Sequence, residues 1–164
     1  GSAAGTIEVH TDSSLAATFE NDNRISGVAD PTGDQDVSTK KYVDDLKVAL
    51  TIAASDEESD LTVGTSNATF RMPYAMTLTE VRASLNRGPA GSTVIIDINE
   101  TASTILSTKL SIDIGEKTST TAATAAVISD TALADDAEIT IDIDQIGSSD
   151  SGKGLKVTLI GTRA

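Results

Sequence analysis

The chain has 164 residues, with 25 acidic and 12 basic side chains, a formal net charge of −13 and no cysteine. This charge argues against binding to a nucleic-acid backbone, which needs clustered Lys and Arg, and the lack of cysteine excludes disulfides and thiolate metal sites. No apolar run approaches the roughly 20 residues that span a bilayer, and no secretion-signal layout is present, so we expect a soluble protein without membrane insertion, released without a classical export signal.

Residues 1–36 show no sustained hydrophobic period and predict an extended arm. Two short stretches in it, "TIEVH" at 6–10 and "LAATFE" at 15–20, are candidates for strands. The arm ends in "ADPTGDQD", where Pro31 disfavours helical backbone at the residue before it and Gly33 permits a tight turn. A helix is therefore expected only after this turn.

The next segment predicts a helix from Ser38 to Ala53, about four turns long. Its candidate N-caps are Asp34, Asp36 and Ser38. Its apolar positions recur at the spacing of a coiled-coil seam: Val43, Leu46, Leu50 and Ala53. An isolated helix of this length is marginal in water, so the seam needs a partner, either the following domain or other copies of the chain. The polar stretch "SDEESD" after it indicates a linker.

From Leu61 onward the hydrophobic period changes to two, which is typical of strands with one apolar face. Five segments alternate clearly: Val81 to Leu85, Val94 to Asn99, Leu110 to Ile114, Ile139 to Asp144 and Leu155 to Leu159. Weaker candidates are residues 61–63, 69–72, 104–107 and 125–129. Turn residues connect these segments, so we predict an antiparallel β-sandwich, jelly-roll-like, with a small barrel as the alternative.

Catalysis and metal binding are not expected. The single histidine, His10, lies in the arm with no nucleophile motif nearby. Four carboxylates offer pairs for glycoside hydrolysis: Asp97, Asp113, Asp142 and Asp144. They occupy the outward positions of strands, where Asp keeps one face solvated. The acidic stretches near 132–144 and 147–152 lack the spacing of a calcium loop, and we interpret them as a solvated rim. We predict no enzyme, no metal site and no cofactor.

The stretch "RISGVADPTGDQDVSTKKYVDD", residues 24–45, resembles a segment that recurs in bacteriophage tail fibres and related virion appendages. The matching positions are Ile25, Val28, Pro31, Asp36, Thr39, Lys40, Tyr42, Val43 and Asp44. The resemblance implies a homotrimer in which three copies of the segment wind together. It implies three regions: an arm at 1–36, a trimerising helix and linker at 37–60, and a tip domain at 61–164. The trimer interface would then consist of Val43, Leu46, Leu50 and Ala53.

The resemblance also implies a function in host attachment, with the chain located in the virion, outside the cell. Its tip would bind a host-surface glycan or protein through three weak sites that act by avidity, and other virion proteins would join its N-terminal end. The loop residues best suited to such contact are Arg71, Tyr74, Asn86, Arg87, Asp150 and Lys153. The alternative is a structural virion protein, such as a connector, a head fibre or a capsid-decorating trimer, that binds another viral protein.

Overall fold

The computed structural model describes residues 7–11, 14–19, 25–33, 36 and 38–164. They divide into two compact units, Gly1–Leu46 and Lys47–Ala164. The first unit contains β1 (Ile7–Thr11), β2 (Ser14–Phe19), β3 (Ile25–Ser26) and α1 (Lys40–Asp44). The second contains β4 (Lys47–Ala53), β5 (Gly64–Arg71), β6 (Met76–Ser84), β7 (Val94–Glu100), β8 (Ser103–Thr104), β9 (Leu106–Thr108), β10 (Leu110–Ile112), a 3₁₀ turn (Ser119–Thr121), β11 (Val127–Ile128), β12 (Ala132–Leu133), β13 (Glu138–Gln145) and β14 (Lys156–Arg163). The fold is mainly β, as predicted.

The first unit begins with a small antiparallel sheet in the order β1-β2-β3. Its first two strands overlap the stretches 6–10 and 15–20 that the sequence marked as strand candidates. The pairing of β1 with β2 shifts register at Val9 and His10. Downstream of the sheet, the described backbone is irregular until α1.

The predicted helix from Ser38 to Ala53 is wrong in its second half. The helix ends at Asp44, and β4 begins three residues later. The stretch "KVALTIA" carries β-branched residues and also fits a period of two, with Val48, Leu50 and Ile52 half-buried and their neighbours exposed. Pairing along its whole length with β14 stabilises the strand. Leu50 and Ala53 therefore share no helical seam with Val43 and Leu46, and the second unit begins at 47 instead of 61.

Two antiparallel sheets build the second unit. Their strand orders are β12-β6-β14-β4 and β10-β7-β13-β5, with β8 added to β7, while β11 pairs with β9. The pairings are nested: β4 with β14, β5 with β13, β6 with β12, and β7 with β10. The chain thus pairs as one long hairpin that is folded over on itself.

Most of the predicted strands are present. The five clear candidates correspond to β6, β7, β10, β13 and β14, and three weaker ones overlap β5, β8 with β9, and β11. Residues 61–63 form no strand. Leu61 is instead a buried core residue whose amide donates to the carbonyl oxygen of Gly152 at 2.9 Å.

One aliphatic core contains side chains from both sheets. It is built from the alternate, inward side chains of both, chiefly Leu78, Val157 and Leu159 from one sheet and Ile96, Ile98, Ile139, Ile141 and Ile143 from the other. Each of these side chains is almost completely buried. Aromatic anchors are absent from the fully buried set within the described residues, which agrees with the composition of the chain.

The second unit has two ends, which are named here by their position along β4. At the near end, where the chain arrives from Leu46, Lys47 lies beside Thr162, and Thr162 lies beside Thr77. At the far end, Ala53 lies beside Lys156, and loops 54–63, 85–93 and 146–155 come together. Strand β6 connects the near end to the far end. Its nine residues correspond to a separation of roughly 30 Å between the two ends.

Candidate functional site

The residues predicted to contact a receptor divide between the two ends. Arg71 and Tyr74 lie at the near end, before β6 begins. The other four lie at the far end: Asn86, Arg87, Asp150 and Lys153. Because β6 separates the two groups, one compact ligand cannot contact both within the same subunit.

Ion pairs hold the far-end loops together. The guanidinium of Arg87 pairs with Asp150, joining loop 85–93 to loop 146–155. The ammonium of Lys153 lies 3.3 Å from Asp60 Oδ1 and donates to the carbonyl oxygen of Glu58 at 2.5 Å. These contacts join loop 146–155 to loop 54–63. The charges predicted to meet a receptor are therefore engaged within the chain, although about half of the Arg87 side chain remains exposed.

Asn86 adds a further link at the same end. Its side-chain amide donates to Glu57 Oε2 at 2.6 Å and to the Glu57 carbonyl oxygen at 2.8 Å. The Glu57 carboxylate also pairs with Lys156. Hydrogen bonds from Lys156, and then from Asn86, hold the pKa of Glu57 below its ordinary value. Three ion pairs, Arg87–Asp150, Lys153–Asp60 and Lys156–Glu57, therefore connect the loops of the far end.

The near-end residues are also engaged internally. The guanidinium carbon of Arg163 lies 4.1 Å above the centre of the Tyr74 ring, a cation–π contact. Arg71 donates to the carbonyl oxygen of Asp136 at 3.0 Å and lies 3.4 Å from the Glu138 carboxylate. Tyr74 therefore packs against the end of the core with an internal cation over its ring.

A polar groove of about 500 Å³ lies on the outer face of the sheet containing β10, β7 and β13. All of its lining residues except Ile95 are polar: Thr93, Thr108, Lys109, Ser111, Asp113, Thr124 and Gln145. It reaches the beginning of β7 and the end of β13, which connect to the far-end loops. The sequence offered no motif for this groove, because its lining comes from strands and loops widely separated in the chain.

Lys109 is the cation of this outer face. Its ammonium lies 2.5 Å from Asp144 Oδ2 and 2.9 Å from Asp97 Oδ2. Hydrogen bonds to Asp144 and then to Asp97 raise the pKa of Lys109. Asp97 also accepts hydrogen bonds from the Thr104 hydroxyl at 2.6 Å and the Ile98 amide at 2.8 Å. The expectation of a solvated Asp97 is wrong, since only 6% of the residue is exposed.

A second carboxylate lies directly across from Asp97. In the register of β13 and β7, Asp142 is its partner. Asp142 accepts hydrogen bonds from the Asn99 amide at 3.0 Å and from the Ser66 backbone amide at 2.7 Å. Each of the two carboxylates therefore has its own hydrogen-bond donors. A structural role accounts for both side chains. Among the described residues, no group of three or more His, Asp or Glu side chains is placed to hold a metal ion.

In the first unit, hydrogen bonds around Asp36 join described residues between Asp30 and Thr39 into a turn. Its Oδ2 accepts from the backbone amides of Thr32 and Gly33, each at 2.8 Å. The Asp36 amide returns a bond to the Gly33 carbonyl oxygen at 3.1 Å. Because both amides favour the charged carboxylate, Thr32 first and Gly33 second, the pKa of Asp36 is lowered.

Thr39 is the N-cap of α1, which corrects the predicted choice of Asp36 or Ser38; Asp34 lies outside the described residues. The Thr39 side chain accepts from the Tyr42 amide at 3.0 Å, and its hydroxyl donates to Asp30 Oδ1 at 2.9 Å. The hydroxyl thus joins the turn to the helix. Two of the polar positions in the resemblance described above, Asp36 and Thr39, form this turn and cap.

The same segment leaves apolar side chains exposed. Val43 and Leu46 are 50% and 52% exposed, and Ile25 and Tyr42 are also exposed. These four belong to a set of seven large exposed hydrophobic residues among the described residues, although residues 25–46 are a small part of the chain. Three of them, Tyr42, Val43 and Leu46, lie within five consecutive residues, so the exposed apolar side chains concentrate around α1.

Titration of Asp36 tests the turn. Its folded-state pKa is depressed, so its contribution to the turn is present above the ordinary value of 3.8 and is lost as pH falls through the lowered pKa. We expect the NMR amide shifts of Thr32 and Gly33 to titrate together with a midpoint below 3.8. In an Asp36→Asn control, these shifts should stay constant across the acid range. A wild-type midpoint at or above 3.8 would contradict the turn.

A comparison with protein-family models, curated proteins and solved structures finds no match to this chain. In the described part of the chain, no helix has the length and apolar character needed to cross a membrane.

Proposed function

We propose that this chain is the distal part of a bacteriophage tail fibre, which forms a homotrimer and attaches the virion to a receptor on the host surface. Residues 25–46 assemble three copies, and the second unit is the tip. The proposal locates the chain in the virion and joins its N-terminal end to other virion proteins. It involves no catalytic step.

The observation that carries this proposal is the hydrogen-bonded turn around Asp36 together with α1 and the exposed side chains beside it. Asp36 and Thr39 give this stretch a defined local conformation, yet Val43 and Leu46 remain half exposed. A helix of five residues is far too short to be stable alone in water. Burial of these aliphatic side chains by other copies would supply the missing stabilisation, as the resemblance to trimeric fibres implies.

The nested strand pairing supports the tip assignment. Eight antiparallel strands that pair first with last, second with seventh, and so on inward have the order of a jelly roll, which is a β-sandwich used by viral capsid and lectin domains. We take the second unit to be such a sandwich. Fold alone does not imply function, so this support is secondary to the segment around α1.

In this proposal the far end meets the receptor, since the chain reaches the second unit at the opposite end. Arg71 and Tyr74 then lie too far back to contribute. The polar groove beside the far-end loops has a volume of about 500 Å³, within the range of small-ligand sites. The hydroxyl, amide and charged groups that line it can form hydrogen bonds with the hydroxyl groups of a glycan. Ile95 offers an apolar contact for a sugar ring. One weak groove per subunit suffices when three act together.

One observation favours the alternative of a structural virion protein. Arg87, Asp150 and Lys153 are engaged by partners within the chain, so the outermost loops form a platform whose basic side chains are already paired. A connector or decorating trimer needs only such a platform to bind another viral protein. The two functions differ in what the isolated trimer binds.

Cell binding tests the proposal. The chain has no cysteine, so Ala164→Cys gives one labelling site at the near end, away from the groove. We expect the labelled protein to bind susceptible strains in a bacterial panel in flow cytometry. Thr124→Arg, which fills the groove, should weaken binding by at least about tenfold, the effect of losing roughly 1.4 kcal/mol at each site. The matched control Thr77→Arg at the near end should bind normally.

Two outcomes would decide against attachment through the groove. Equal binding by both variants would move the receptor contact away from it. Binding to purified virions, combined with no binding to any strain in the panel, would support the structural alternative.

A further inference from the structure

Strand β4 is the unpaired edge of its sheet. It pairs with β14 on one side over all seven of its residues, with no register shift. The Ala54 amide donates to the Leu155 carbonyl oxygen, and successive amides along a strand point to opposite sides. The amides of Val48, Leu50 and Ile52 therefore point towards β14. Those of Ala49, Thr51 and Ala53 point away from the sheet, where no described strand accepts them.

The core is also open along this side of the second unit. Strand β4 is the last strand of one sheet and β5 is the last strand of the other. Side chains of both strands pack against the core but remain only partly buried: Val48, Leu50, Ile52, Ala68 and Phe70. Val63, just before β5, is exposed. We call this apolar strip the open side.

The other sheet edges carry features that discourage pairing with another chain. Strands β10 and β12 have only three and two residues. Strand β5 is interrupted by a register shift around Ser66, whose φ of 54° is left-handed. Short and bulged edges are the usual protection against association, whereas β4 is long, regular and without proline. Its one charged residue, Lys47, is at its first position.

Charge indicates which partner fits the open side. Neither β4 nor β5 contains an acidic residue, and each contains one basic residue. Each copy of the chain carries a net charge of −13, so two copies repel each other electrostatically. This repulsion is weakest where the contacting surfaces carry no acidic side chains. A basic partner would instead be drawn to the acidic remainder of the surface. The open side is therefore suited to another copy of this chain.

We propose that the open side is a subunit interface, in which the open side of one copy lies against that of the next and the outward amides of β4 are hydrogen-bonded across the interface. With three copies, the three open sides face a common axis and bury their aliphatic strips together. Leu46 immediately precedes β4, so the exposed residues of the α1 segment continue directly into the β4 part of the open side. The assignment of three copies rests on the proposed function. The inference that β4 is an interface strand does not.

Hydrogen exchange of the full chain tests this interface. The amides of Val48, Leu50 and Ile52 serve as internal controls, because β14 protects them in any oligomeric state. We expect NMR-detected exchange of the Ala49, Thr51 and Ala53 amides to be at least about 100-fold slower than in an unpaired strand, approaching that of the controls. In the variant Val43→Asp/Leu46→Asp, measured at a concentration where light scattering shows a monomer, the outward amides should exchange freely.

The outcomes separate this inference from the proposed trimer. A trimer whose outward amides exchange freely would overturn the interface and leave the trimer intact. A dimer with protected outward amides would support the edge and overturn the trimer. Protected outward amides in the monomeric variant would show that the chain covers its own edge, which would also overturn the interface. A monomeric wild type with free outward amides would overturn both.

Discussion

The double substitution Val43→Asp/Leu46→Asp should convert the protein from about three times 16.8 kDa to a single chain of 16.8 kDa in light scattering. Both side chains are half exposed in one copy, so a monomer tolerates the change. In a trimer the same positions are buried, and an unpaired buried charge costs several kcal/mol for each ion. Six such charges meet in one assembly, which makes dissociation at micromolar concentration the expected result.

A matched control separates assembly from general surface effects. Ile114 and Val127 are 57% and 49% exposed, nearly the same as the two test residues, but they belong to the second unit. Ile114→Asp/Val127→Asp should leave the mass unchanged. Leu50 is unsuitable for this test, because it packs against the core of the second unit and its substitution would perturb that fold. If both double variants remain trimeric, the α1 segment does not join the subunits.

Dissociation should also reveal whether attachment depends on avidity. Three weak sites on one axis gain roughly 10² to 10⁴ in apparent affinity over a single site. A labelled monomer should therefore lose cell binding by about that factor while its groove is unchanged. A monomer that binds cells as well as the wild type would indicate a single strong site and would remove avidity from the mechanism.

The strands were predictable because their pattern is local. Ile139, Ile141 and Ile143 alternate with polar neighbours, and alternation alone defines which face is buried. The helix prediction for residues 47–53 was wrong because their apolar residues fit both a helical and a period-two pattern. Its partner β14 lies about a hundred residues later in the chain, and no local pattern carries that information.

The candidate site was predictable only as a set of residue types on loops. Turn composition identified Arg87 and Asp150 as accessible polar residues, but their mutual ion pair depends on two loops that meet only in the fold. The sequence correctly placed Asp97 on the outward face of its strand. The prediction that its side chain is exposed to solvent was wrong. The turn at Thr101 and Ala102, both with left-handed backbone, folds the chain back so that Thr104 and then Lys109 cover Asp97. The turn was visible in the sequence, whereas the return path over the sheet was not.

The substitution Lys109→Met should lower the free energy of unfolding more than the matched control Lys156→Met does. Lys109→Met leaves the Asp97 carboxylate, whose side chain is 8% exposed, without its cation. Breaking a fully buried pair costs about 3 to 5 kcal/mol; since Lys109 itself is 42% exposed, we expect a decrease of about 1 to 3 kcal/mol in the free energy of unfolding, measured by urea titration.

Lys156→Met is the matched control for this loss, because its partner Glu57 is 50% exposed and such surface pairs contribute less than about 1 kcal/mol. Adding Asp97→Asn to Lys109→Met should restore part of the stability, since the orphaned charge is then removed. The raised pKa of Lys109 means that its contribution is complete below its ordinary value of 10.5 and disappears as pH rises through the folded-state pKa. The wild type and Lys109→Met should therefore converge in stability only in strong alkali. Equal losses in the Lys109 and Lys156 variants at neutral pH would show that Asp97 does not depend on this cation.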